Sequence, residues 1–221
     1  VRLSCEGLAA ASKEAGVGFF DRKRNELIER GIDPHRLPPG QYMTDRFPVL
    51  HAGEVPIYAD LAAWDLRLFG RVARPVTLSY DELLALGVEE ITTDIHCVTK
   101  WSKFDTRWSG VPFGRILELV EPLPEAAYVV VHAEYGFTTN LPLADLAGEH
   151  VAMLATHYDG TPLEPEHGYP VRFLVPHLYF WKSAKWVRAI EFAERDRPGF
   201  WERNGYHNYG DPWREQRYWE D

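Results

Sequence analysis

Cysteine is nearly absent: among 221 residues only Cys5 and Cys97 occur, far apart in the chain. Two thiols at that separation support neither a disulfide framework nor a structural zinc site. Long apolar runs are missing too. None approaches the roughly 18 residues that a membrane helix needs, and the N-terminus has no extended apolar stretch of the kind a secretory signal requires. A cytoplasmic protein without a membrane span is therefore expected. Basic residues are in deficit, 24 Lys and Arg against 33 Asp and Glu, for a net charge of −9. That balance argues against nucleic acid as a partner, because phosphate backbones are gripped by clustered cations. Catalytic signatures are missing as well: no phosphate-cradling glycine loop ends in Lys before Ser or Thr, no dinucleotide glycine fingerprint follows a strand pattern, and no Ser sits in a Gly-x-Ser-x-Gly turn. His132-Ala133-Glu134 has the His-x-Glu spacing of zinc deaminases, but that chemistry needs a later pair of cysteines and none follows Cys97.

What is present describes a globular chain. Hydrophobic residues make up 45% and charged residues 26%, an ordinary mixture for a soluble protein, and the length suits one large core. Eight Trp, eleven Tyr and eleven Phe supply much of the packing, since each buried ring removes on the order of 150–250 Å² from water. Several cluster near the C-terminus as a packed tail. Residues 1–17 read as a weakly ordered segment and 18–221 as one domain, with translation in the cell expected to begin near Val17. A helix is expected over 21–30, stopped by Gly31, before a proline-punctuated loop that runs through Phe47-Pro48. Residues 64–70 alternate apolar and polar as a half-buried strand does. Ser79 is placed to cap a helix over 80–86. A strand over 89–98, a helix over 111–120 ended by Glu121-Pro122, and a buried strand over 128–132 follow. Downstream come a helical turn over 144–147 and strands over 151–157, 171–175 and 185–193. Strands outnumber helices without regular β-α-β alternation, which points to a mixed, mostly β fold of the α+β class.

Cys97 closes the strand expected over 89–98. Taken alone it reads as a buried structural thiol, the usual state of a free cysteine; as a thiolate it would serve as a nucleophile or as a ligand for a soft metal. Its wider context is more specific. Cys97-Val98-Thr99-Lys100-Trp101-Ser102 is followed by Trp108-Ser109-Gly110-Val111-Pro112, then by His167-Gly168-Tyr169-Pro170-Val171-Arg172-Phe173-Leu174-Val175-Pro176, and then by Lys182-Ser183-Ala184-Lys185-Trp186-Val187. In this order the blocks resemble the sulfite oxidase/molybdopterin-binding oxidoreductase family over most of the chain. The stretch from Gly199 through Tyr206 and His207 is similar to the family's small stand-alone members.

The resemblance implies a molybdenum-bearing molybdopterin cofactor, with Cys97 as the catalytic residue and the single protein thiolate on the metal. It further implies that His167, Arg172, Ser183, Ala184 and Lys185 line the cofactor, the last three through a loop over its phosphate. The residue chemistry agrees, because Arg172 offers a fork of donors to phosphate or pterin oxygens and Lys185 a point charge. Thr44-Asp45-Arg46-Phe47-Pro48-Val49 takes the place of the family's early cofactor loop, which assigns Thr44, Arg46 and Phe47 to the cofactor. His132 falls where the family approaches the cofactor again; as a residue by itself it fits a satisfied core histidine. His96 is not expected as a ligand, since neighbouring side chains on a strand point to opposite faces.

By resemblance the reaction is oxygen-atom transfer on a small-molecule substrate, with electrons passing to or from a separate protein, because the chain has no room for the haem and dimerisation domains of many sulfite oxidases. Two departures bear on the substrate. Sulfite oxidases place an arginine where Thr44 stands, and a tyrosine where Asp196-Arg197-Pro198 stands. Reduction of a sulfoxide or N-oxide is thus expected over sulfite oxidation. Alternatives from other classes are a non-catalytic molybdopterin-binding or carrier protein, and a metal-free enzyme with Cys97 as a redox thiol. Tyr206 and His207 read as packing residues, with a place at the substrate entrance as the alternative.

Overall fold

The computed structural model describes residues 19–148 and 150–221, and the expectations for residues 1–17 lie outside them. Helix α1 (Phe19–Glu29) gives way to a turn at Gly31, whose φ of 73° a residue without a side chain adopts most readily. A loop then carries the short strand β1 (Tyr42–Met43). Strands β2 (Asp65–Gly70) and β3 (Val76–Ser79) pair antiparallel, and Leu66 and Leu68 of β2 are buried as the alternation requires. Ser79 caps α2 (Tyr80–Ala85): its hydroxyl accepts from the Glu82 N–H, while the Glu82 carboxylate accepts from the Ser79 N–H. Two orphan donors at the helix start are satisfied together.

A long hairpin follows, built from β4 (Glu89–His96) and β5 (Trp101–Pro112). Helix α3 (Phe113–Val120) buries Phe113, Ile116 and Val120 at helical spacing, and Glu121 ends it in the left-handed region ahead of Pro122. Beyond lie β6 (Tyr128–Ala133), β7 (Thr138–Pro142) and α4 (Leu143–Ala147). The remaining elements are β8 (Met153–Tyr158), β9 (Thr161–Pro162), β10 (Arg172–Leu174), β11 (Val187–Ala193) and α5 (Phe200–Arg203).

The strands form two sheets. One has the order β1-β5-β8-β10, with β4 also on β5 and β9 on β8; the other has the order β3-β2-β11-β6-β7. Each contains one parallel pair, β1 with β5 and β11 with β2, among antiparallel ones. This is the mixed, mostly β architecture of the α+β class. One apolar cluster joins Leu66, Val131 and Ile190 of the second sheet to Ile116 of α3 and Phe173 of β10, and so ties the sheets together. A second cluster gathers Trp101, Trp108, Tyr179 and Phe180 around Cys97.

Five strands, the two-residue β1 and β9 together with β3, β5 and β7, have no counterpart in the sequence pattern. In β5 the positions on the Trp108 face include Thr106 and Gly110, and Asp105 at φ 53° interrupts the pleat. In β7 the buried residues are Thr139 and Asn140 beside Leu141. Strand β3 is only four residues long. Hydropathy cannot flag a strand whose inner positions are polar or empty. For the same reason the helix expected over 111–120 begins late, at Phe113: Val111 and Pro112 are still paired with Leu154 and Met153 of β8.

At Gly110 the backbones of β5 and β8 approach so closely that an added Cβ would lie 2.2 Å from the Leu154 carbonyl oxygen. Gly110→Ala should therefore lower the unfolding free energy by roughly 1–3 kcal/mol, read from urea denaturation. An unchanged midpoint would show that the strands part without cost.

Candidate cofactor and active site

Cys97 is the first residue of the turn between β4 and β5. The turn is closed by the Lys100 N–H donating to the Cys97 carbonyl at 3.0 Å and the Cys97 N–H donating to the Trp101 carbonyl at 2.8 Å, with Lys100 at φ 75°. Two distant side chains grip it from outside. The Gln41 amide donates to the Cys97 carbonyl at 3.1 Å, and the Arg217 guanidinium to the Val98 carbonyl at 3.3 Å. The turn therefore sets the thiol at the tip of a rigid hairpin. Its sulfur accepts the Thr99 hydroxyl at 3.1 Å. Burial pushes the thiol above its ordinary value, while Thr99 and the nearby Arg172 charge pull the other way.

The tip faces a cavity of about 520 Å³. Arg172 reaches it from β10 and is only 2% exposed. Its guanidinium donates to the His167 carbonyl at 3.0 Å and lies over the Phe180 ring at 3.8 Å, but its Nε has no partner, and no carboxylate pairs with it among the described residues. Burial pushes this group down to about 9, so it keeps its charge at neutral pH. Lys185 is lowered to about 7 by burial and by the Arg172 charge, and its amine donates to the Glu166 carbonyl at 2.5 Å. Two cations thus share one wall. Gly168, at φ 116°, lets the chain pass beside them; a Cβ there would meet both the Arg172 and the Lys185 Cβ at 3.2 Å. His167 stacks on Phe47 at 4.0 Å and 19°, and burial lowers its titration, which keeps the ring neutral.

Of the residues singled out from sequence, Cys97, Phe47, His167, Arg172, Ser183, Ala184 and Lys185 all line this cavity. Ser183 also accepts the Val175 N–H at 3.0 Å, which fixes the loop that follows β10. Thr44, Arg46 and His132 are not brought to it. Thr44 is bound to the backbone of β5 through Ser102 and accepts the Arg46 N–H, and Arg46 is exposed. His132 binds Glu191 at 3.0 Å on β11, a carboxylate that Arg197 also engages. His96, as the strand geometry requires, turns away to Ser102 at 2.9 Å.

Of Glu134, Phe137, Phe200, Trp201 and Tyr206, which also line the cavity, the sequence raises only Tyr206 for the site, as the alternative to packing. Glu134 is held at the wall by the Tyr58 hydroxyl and the Arg188 guanidinium, each at 2.8 Å, partners separated from it by dozens of positions. Phe137, Phe200, Trp201 and Tyr206 bring an aromatic surface from β7 and the C-terminal tail. Among these, Tyr206 is near enough to Cys97 for the thiol to act on its titration.

A buried guanidinium with no carboxylate partner among the described residues and an enclosed thiol thus line one cavity. Residues 52–201 match the oxidoreductase molybdopterin-binding domain, and the chain belongs to that family of oxidoreductases. It is similar to the uncharacterized oxidoreductase YuiH of Bacillus subtilis, 52% identical over 83% of this chain and 92% of that protein. The catalytic subunit MsrP of the protein-methionine-sulfoxide reductase of Xanthomonas campestris is 33% identical over 61% of this chain, which spans 46% of that subunit. Among solved structures, the sulfane dehydrogenase SoxCD of Paracoccus pantotrophus superposes with a TM-score of 0.58 over 67% of this chain and 42% of that one, at 20% identity. It shares the fold. The residues fit molybdopterin: Arg172, with its Nε unpartnered, and Lys185 can donate to a phosphate or pterin oxygen, and Gly168 lets the chain pass close enough for both to stand on one wall.

The Lys185 titration gives a direct check. Between pH 7 and the ordinary lysine value the unfolded chain holds a proton that the cofactor-free fold lacks, so stability should rise with pH across that window. Lys185→Met should flatten this rise in denaturation curves. A slope equal to that of the parent would place the amine in solvent.

Proposed function

We propose that this chain is a molybdenum oxidoreductase that reduces a neutral S-oxide or N-oxide, with Cys97 as the protein ligand of the metal and electrons supplied by a separate protein. One observation carries the reading: a thiol held at a hairpin tip opens onto the same cavity as a buried cation with no partner charge. When bound, the cofactor supplies the two-electron exchange of an oxygen atom. Arg172 and Lys185 hold its anionic end through charge-assisted bonds, and His167, neutral and stacked on Phe47, closes the wall beside them.

The substrate side differs in character. Phe137, Phe200 and Trp201 are apolar, and the carboxylate at the wall is Glu134. Among the described residues the lysine and arginine lining the cavity are the two that the cofactor would take up, and Glu134, paired with Arg188, offers sulfite no attraction. An uncharged oxide with an apolar substituent suits that surface. Its reduction, R₂SO with two electrons and two protons giving R₂S and water, needs a proton donor at the oxygen. Tyr206 is the candidate for this, because its phenol lines the cavity close enough to Cys97 for the thiol to act on it. The methionine-sulfoxide reductase subunits among the relatives support this substrate class.

Protein made in a host that synthesises the cofactor should contain stoichiometric molybdenum and reduce aryl methyl sulfoxides with an artificial donor, while oxidising sulfite at least 100-fold less efficiently. Molybdenum without turnover would identify a carrier; no molybdenum would refute the reading. Cys97→Ser should abolish turnover with the fold retained by circular dichroism. Arg172→Ala, by loss of a charge-assisted contact of about 1.5–3 kcal/mol, should reduce cofactor retention on the order of tenfold to a hundredfold.

A further inference from the structure

The Cys97 turn contains a hydrogen bond that neither chain reversal nor packing requires. We infer that Thr99 is a positioning residue for the Cys97 thiolate, its hydroxyl donating to Sγ and thereby moderating how strongly the sulfur donates to a bound metal. The inference rests on the molybdenum reading.

The local geometry supports it. The backbone of the turn is satisfied without Thr99: Lys100 closes it, Gln41 takes the Cys97 carbonyl and Arg217 takes the Val98 carbonyl. Threonine hydroxyls in turns ordinarily bind a nearby backbone group. That of Thr99 instead lies 3.1 Å from Sγ, and this is the bond it makes among the described residues. Thr99 also lines the cavity, so the bond sits on the side where a metal would approach the sulfur. A metal-bound thiolate carries no proton, and the hydroxyl is then necessarily the donor. Donation into a sulfur lone pair withdraws electron density from the metal–sulfur bond and favours the reduced metal, as hydrogen bonds to ligand sulfurs do in other thiolate centres. With turn and carbonyls pinned from outside, the hydroxyl cannot be replaced by a shift of the backbone.

The test uses loaded protein and three measurements: molybdenum content, the Mo(V) EPR signal, and the Mo(V)/Mo(IV) midpoint potential from an EPR-monitored redox titration. Thr99→Val removes the donor at nearly constant volume, and Thr99→Ser keeps it. Thr99→Val should load normally and shift the midpoint downward with altered g-values, whereas Thr99→Ser should keep the parent's potential. If Thr99→Val fails to load while Thr99→Ser loads at the parent's potential, the donor is again what matters. A parental potential in fully loaded Thr99→Val would overturn the inference. So would equal failure of both variants, which would assign the role to the methyl group. Absence of molybdenum from the parent protein is a different result: it removes the functional reading and this inference with it.

Discussion

Two buried cations only ten residues apart in sequence have opposite fates, and the site depends on that difference. Lys182 is fully enclosed and fully satisfied, donating to the Asn140 and Asn208 carbonyls at 2.9 and 2.7 Å and pairing with Glu202 at 2.7 Å. Arg172 is equally enclosed and has no carboxylate partner among the described residues. An unpaired charge taken out of water costs several kcal/mol, and the fold spends part of its stability to keep one. Only an anion returns that cost. The cavity is shaped around the same demand, with Lys185 added on the wall and the Glu134 carboxylate engaged by Arg188 and Tyr58 instead of by Arg172.

The satisfied cation has a structural task that complements the unsatisfied one. Lys182 joins the strand β7, through Asn140, to Glu202 of α5 and to the tail at Asn208. Through it the aromatic cover formed by Trp201 and Tyr206 is anchored over the cavity. Glu202 also accepts the Trp181 indole N–H at 2.9 Å. Further along, Arg217 crosses back to the Cys97 turn and lies over the Tyr179 ring at 4.9 Å. The C-terminal segment is therefore part of the site: it supplies the wall residues Trp201 and Tyr206 and a clamp on the Cys97 turn.

Much of the site was readable because its residues are local blocks. Cys97 with its turn, and Arg172 with the loop through Lys185, keep their meaning as short sequences. Elements with apolar alternation or helical spacing, such as β2 and α3, were equally visible. What escaped reading was what depends on partners far away. The strands β5 and β7 carry Thr106 and Asn140 inward, and their burial makes sense only beside Thr93, Lys182 and Asp196. Glu134 belonged only to a His-x-Glu spacing that the missing cysteines had already set aside, and its place at the wall depends on the distant Arg188 and Tyr58. The early loop reaches the cavity through Phe47, Leu50 and His51, whereas Thr44 and Arg46 lie beside β5, because the hydrogen bond from Thr44 to Ser102 fixes where the loop leaves the sheet.

The central claim is that the Cys97 sulfur binds molybdenum within this cavity. X-ray absorption at the molybdenum edge of loaded protein measures the sulfur ligands directly. The account predicts one more sulfur neighbour in the parent than in Cys97→Ser, at a metal–thiolate distance. An identical sulfur shell in the two proteins would contradict it.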